Sequence, residues 1–92
     1  MAYNGWSNYE TWAVKLWMDN DEGSYRYWQR EARASSDVAS LASTLKDEHE
    51  ESLPELDGWA GDLLNAAFGE VDWYEIAKSL REDESLEDEE VA

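Results

Sequence analysis

The chain has no cysteine, one proline, one histidine and only seven lysines and arginines among 92 residues. Without cysteine there is no disulfide framework, no thiolate zinc site and no cysteine nucleophile, which suits a cytoplasmic setting. No apolar run approaches the roughly 18 residues of a membrane span. The opening Met1–Trp6 lacks the basic and apolar regions of a secretory leader, so a soluble, unprocessed chain is expected. No glycine-rich phosphate loop is present, and no segment sustains period-two alternation. The shortage of bases argues against direct contact with nucleic acid or membrane.

What the chain has instead is acid and aromatic rings. Aspartates and glutamates number 23, for a formal net charge of −16, beside six Trp, five Tyr and one Phe. A single domain of this size buries about 60–65% of its unfolded surface, and rings that each bury roughly 150–250 Å² can supply its core. Disorder pairs high charge with few aromatics, so a folded domain is expected. The charge is uneven. Residues 1–35 hold five acids (Glu10, Asp19, Asp21, Glu22, Glu31) and four bases (Lys15, Arg26, Arg30, Arg33), leaving eighteen acids and three bases for residues 36–92.

Helical periodicity recurs five times. Tyr9, Trp12, Ala13, Leu16 and Trp17 form an apolar stripe, started by a Ser7/Glu10 capping box and ended at Asn20. The stripe predicts that Trp12 and Trp17 are core, with Trp6 and Tyr3 lying off it. A second helix begins between Asn20 and Ser24, with Asp21 and Glu22 at its positive end and Tyr25, Trp28 and Ala32 inward. A third runs from about Ser36, burying Val38, Leu41, Ala42 and Leu45. A fourth is expected from a Ser52/Glu55 box, with Pro54 in its first turn, Leu56, Trp59, Ala60, Leu63, Leu64 and Ala67 in register, and Gly69 as its stop. Gly58 and Gly61 then fall inside it, which close packing would explain. The fifth has Asp72 as cap, Glu75 at the third position, a Val71–Ile76 staple, and Trp73, Ile76, Ala77 and Leu80 inward. The fold expected is all-α: one compact domain of four to five helices over residues 1–81, with 4–34 an aromatic scaffold and 36–81 acidic helices. Residues 82–92, dense in acid, read as a frayed or disordered tail.

Catalytic and metal chemistry find little support. An EF-hand counted from Asp19 would place Gly23 at the fifth position and Arg30 at the twelfth, where a bidentate glutamate belongs. His49 lies among acids in "KDEHEES" and reads as a solvated surface histidine. No cofactor and no enzymatic activity are expected.

The acid itself is the remaining signal. A compact domain of this length is about 32 Å across, so sixteen charges give one per ~2 Å, near the one per ~1.7 Å of duplex DNA. Asp47, Glu50 and Glu51, like Asp72 and Glu75 or Glu84, Glu87 and Asp88, recur at helical spacing. They could present carboxylates at phosphate-like intervals to a basic channel.

Tyr3–Trp28 resembles the signature of small acidic proteins of bacteriophages, other mobile elements and haloarchaea, roughly N-G-W-x-N-Y-E-T-W-x-V-x-L-W-x-D-N-(D/E). Asn4, Gly5, Trp6, Asn8, Tyr9, Glu10, Thr11, Trp12, Val14, Leu16, Trp17, Asp19, Asn20 and Asp21 match it. The resemblance supplies no catalytic residue. It implies a setting in an infected host's cytoplasm, where such proteins resemble anti-restriction or anti-CRISPR inhibitors, several of them DNA mimics. The expected function is inhibition of a basic nucleic-acid-binding protein, a CRISPR effector or a restriction enzyme. The expected contacts are Asp47, Glu48, Glu50, Glu51 and Glu55 first, then Asp57, Asp62, Glu70, Asp72 and Glu75. Two alternatives stand beside it: an acidic interaction module anchored by Trp6 or Tyr3, and a salt-adapted protein without mimicry.

Overall fold

The computed structural model describes residues 3–91, and side chains from Tyr3 to Asp83. Five helices follow one another: α1 (Tyr9–Asn20), α2 (Glu22–Ala34), α3 (Val38–Glu51), α4 (Gly58–Glu70) and α5 (Trp73–Val91). The starts of α2 and α3 follow from local chemistry, because an aspartate side chain takes up amide protons that the first turn leaves without a partner. Asp21 accepts from the Gly23 and Ser24 amides, and Asp37 from that of Ser40. Asp72 does the same at α5, accepting from Glu75 N–H at 3.1 Å.

The core gathers around α3 and α5, which run antiparallel. His49, near the end of α3, lies 4.9 Å ring to ring from Trp73 at the start of α5. At the opposite end Arg81 donates to the Ser35 carbonyl and hydroxyl at 3.0 and 2.8 Å. Between these ties Leu41 and Leu45 meet Ile76, Ala77 and Leu80, with Trp28 and Ala32 of α2 and Met18 of α1 completing the cluster. Each buried Leu or Ile contributes about 1.5–3 kcal/mol of transfer free energy. For α3 and α5 these are the positions the periodicity predicts. Of the three inward residues expected in α2, Trp28 and Ala32 are buried and Tyr25 is exposed.

α1 overturns its prediction. Its buried residues are Thr11, Lys15 and Met18, while Tyr9, Leu16 and Trp17 are exposed. At about 100° per residue the buried side lies opposite the aromatic stripe. One polar tie to another segment matches this rotation. The Thr11 hydroxyl accepts the Asp72 amide proton at 2.8 Å, tying α1 to the start of α5. Lys15 lays its stem against the protein and carries its ammonium to Asp19, 2.7 Å away. The expected Ser7/Glu10 capping box is also replaced: Asn8 is the cap, accepting from Thr11 N–H at 2.9 Å.

α4 departs further. Residues 52–57 are not helical, so the Ser52/Glu55 box does not start a helix, and Ser52 instead donates its hydroxyl to the His49 carbonyl beyond α3. Gly58, at φ +69°, opens the helix in a conformation costly to other residues. Gly61 is fixed by contact, since a Cβ there would stand 2.1 Å from the Leu56 carbonyl oxygen. α4 lies against α1, with Ala60, Leu64 and Phe68 half-buried and Leu56, Trp59 and Leu63 exposed.

The longest dimension is 53 Å, against 29 and 24 Å across, so the molecule is more drawn out than a sphere of its mass. The α5 backbone continues to Val91 through the segment expected as a tail. The carboxylates of Glu84, Glu87 and Asp88, and the terminal Ala92, lie outside the described residues. None of the described helices is long and apolar enough to cross a membrane.

Candidate partner-binding surface

The signature at the N-terminus builds a clasp. Asn4 and Gly5 both have positive φ, 52° and 91°, at the centre of a tight turn in which Tyr3 and Trp6 exchange backbone hydrogen bonds. Asn-Gly is the pair that favours this turn, and that dipeptide was the available signal for it. The chain then meets the α4–α5 junction. Ser7 donates its amide and hydroxyl to Glu75 at 3.1 and 2.6 Å, and the Asn8 amide group donates to the Glu70 carbonyl at 2.7 Å. Three residues of the signature (Gly5 in the turn, Asn8 and Thr11) therefore have structural roles, and so does Ser7 at one of its variable positions. Of the two expected anchors, Trp6 packs half-buried against the core, and Tyr3 meets Tyr9 edge to face and Trp12 at a tilt.

The ten carboxylates expected to bind fall into two groups. Glu48, Asp72 and Glu75 are engaged within the fold: Glu48 accepts the Tyr27 hydroxyl at 2.7 Å, Asp72 caps α5, and Glu75 holds Ser7. The Glu48 hydrogen bond, then burial and the nearby Glu31 and Glu48 charges, push the Tyr27 phenol up to about 12. Asp47, Glu50, Glu51, Glu55, Asp57, Asp62 and Glu70 are exposed and have no side-chain partner among the described residues. Asp47, Glu50 and Glu51 share one face of the last turns of α3, with Glu55 and Asp57 on the loop beyond. Asp62 and Glu70 stand apart, on α4. Sixteen net charges along 53 Å give one per about 3.3 Å, roughly half the density of duplex. The elongated shape thus thins the uniform spacing expected from the sequence.

His49 is not a solvated surface residue. It is half-buried, with rings of Trp28 and Trp73 at 5.5 and 4.9 Å, and its Nδ1 lies 2.7 Å from the Leu45 carbonyl oxygen. No group of three or more potential metal-ligating side chains occurs among the described residues.

The feature that sequence reasoning missed is an apolar surface on α1 and α4. Trp17 is 75% exposed, Trp59 78% and Leu63 62%. A cavity of about 420 Å³ beside Trp17 is lined by Ala13, Val14, Met18, Asp21, Ser24 and His49. Another, of about 270 Å³, lies between α1 and α4. The available signal was that α1 and α4 carry apolar residues on more than one side, more than a single buried stripe needs.

Fold and surface together define a small acidic all-α domain with exposed carboxylates at one end and exposed tryptophans on α1 and α4. Residues 1–91 match a family described as a family of unknown function, DUF7249, and the chain belongs to that family. No curated protein and no solved structure matches the chain.

Proposed function

We propose that this protein is a non-catalytic inhibitor that binds a basic, nucleic-acid-binding protein and occupies its nucleic-acid surface. A CRISPR effector or a restriction enzyme is the target class that the phage-type resemblance implies. The observation that supports this reading is the state of Asp47, Glu50, Glu51, Glu55 and Asp57. They are exposed, follow one another along the end of α3 and its loop, and have no partner among the described residues. Carboxylates hydrogen-bonded inside the fold have committed acceptor atoms to it, whereas an unpaired row is free to meet a basic surface and steers it from a distance.

The test is capture by the tagged protein from a bacterial lysate carrying CRISPR and restriction systems. A nucleic-acid-handling protein is expected to be retained at low salt, released by salt and displaced by DNA. The combined Asp47→Lys, Glu50→Lys and Glu51→Lys variant should keep its helicity and thermal stability but lose that partner. Unchanged capture by the variant would refute the assignment.

The exposed tryptophans favour a second reading, an interaction module with an aromatic anchor. The anchor is then Trp17 or Trp59 rather than Trp6 or Tyr3. Such a partner stays bound through high salt and is indifferent to DNA.

A further inference from the structure

The groove between α1 and α4 is lined by Tyr9, Ala13, Val14, Leu53, Leu64 and Phe68. Ala13 and Val14 also line the cavity beside Trp17, so the two hollows adjoin at these residues and give α1 a channel of two parts. Between Tyr9 and Trp17 the helix rises about 12 Å, the length of two helical turns. Its rim is acidic on α1 and at the start of α2: Glu10 lines the groove and Asp21 lines the cavity. A second copy is a poor occupant, because each copy brings a net charge of −16 to that rim. The chain's own acidic C-terminal residues meet the same repulsion. An apolar channel with an acidic rim is instead complementary to a helix that is apolar on one face and basic on its flanks.

We propose that the channel along α1 takes an amphipathic helix of a basic partner protein. Apolar side chains at i, i+4 and i+7 enter beside Ala13, Val14 and Leu64, and flanking Lys or Arg residues meet Glu10 and Asp21. Trp17 closes over one end of the bound helix. The inference uses different residues from the α3 carboxylates and does not require the partner to handle nucleic acid.

The test is a titration of the isotope-labelled full chain with a synthetic Leu/Lys peptide of about 14 residues, patterned for one apolar helix face. It is run in about 0.5 M NaCl, where screening acts within about 4 Å and exposed carboxylates lose their reach. Amide signals of Ala13, Val14, Leu64 and Ala67 should shift. Affinity should exceed that of the scrambled peptide, and of a Leu/Glu peptide of the same pattern, by about tenfold or more, a difference of about 1.4 kcal/mol. Ala13→Glu should lower affinity by at least a comparable factor, while the triple α3 reversal should change it by less than about twofold. Trp17→Ser, at an exposed position, serves if Ala13→Glu does not fold. Equal binding of the scrambled or Leu/Glu peptide, shifts confined to residues 47–57, self-association that moves the channel signals, or no binding would each overturn the proposal. Loss of lysate capture by the α3 reversal with peptide binding intact supports both readings. Channel binding without any nucleic-acid-handling partner in the lysate defeats only the earlier one.

Discussion

α3 and α4 have 14 and 13 residues, and α4 is the more apolar, yet α3 buries Leu41 and Leu45 while α4 buries only Gly61. Apolarity did not decide which helix became core. α3 has one apolar stripe and a polar remainder, so only one rotation against α5 satisfies it. α4 is apolar on several sides and lies against α1, so Trp59 and Leu63 are left in solvent. The accessible surface of 6387 Å² exceeds the roughly 5,500 Å² typical of a folded monomer of this mass. A domain this small can spend its limited packing on one helix pair and leave the rest of its apolar side chains for contact with something else.

That contrast can be broken from either side. The largest effect belongs to the α3/α5 core. Ile76→Ala, or Leu45→Ala, should cost about 2–5 kcal/mol in urea unfolding, because both side chains are fully enclosed. Gly61→Ala should cost about 1–3 kcal/mol, since its Cβ collides with the Leu56 carbonyl. Amide exchange should accelerate in α4 while α3 stays protected, which would show that the two helices are held separately. Thr11→Val leaves the Asp72 amide without its acceptor and should cost about 1–3 kcal/mol, sharpening the claim that a polar tie sets the rotation of α1.

The smallest effects concern pH. The Tyr27 phenol titrates higher in the folded chain than in the unfolded one, held up by Glu48. Its stabilisation is therefore complete below about pH 10 and is lost as pH rises toward about 12. Tyr27→Phe should remove that alkaline step from a pH series of melting temperatures. Asp37 runs the other way. The Ser40 amide holds its carboxyl below the ordinary range, so its contribution is present at neutral pH and fades on acidification. Asp37→Asn should keep the cap and flatten that acid-side slope.

These helices also show what was legible in the residues. Val38, Leu41, Ala42 and Leu45, and Trp73, Ile76, Ala77 and Leu80, could be read directly because each set has a polar face opposite. α1 could not be read so, because two apolar arcs compete and the larger rings occupy the losing one. The decisive group, the Thr11 hydroxyl, has its partner at the start of α5, which hydrophobic periodicity does not register. Asp72 caps α5 as its spacing predicts, but the Ser7/Glu10 box failed for a related reason. Ser7 and Glu10 have the right spacing, but Ser7 is taken by Glu75, 68 positions away. In the acidic surface the exposure of Asp47, Glu50 and Glu51 followed from composition. The internal engagement of Glu48 and Glu75 needed tertiary structure, because their partners Tyr27 and Ser7 lie on distant segments.

Trp17 of α1 and Trp59 of α4 serve the surface rather than the core, whereas Trp12 is half-buried. Urea unfolding of the Trp17→Ala/Trp59→Ala double variant tests this assignment most directly. Exposed positions of this kind change stability by about 0.5 kcal/mol or less each, so the unfolding midpoint should barely move. A loss of about 3 kcal/mol or more, as for a core Trp→Ala substitution, would mean that these rings hold the fold together, and the account of α1 and α4 as a contact surface would be wrong.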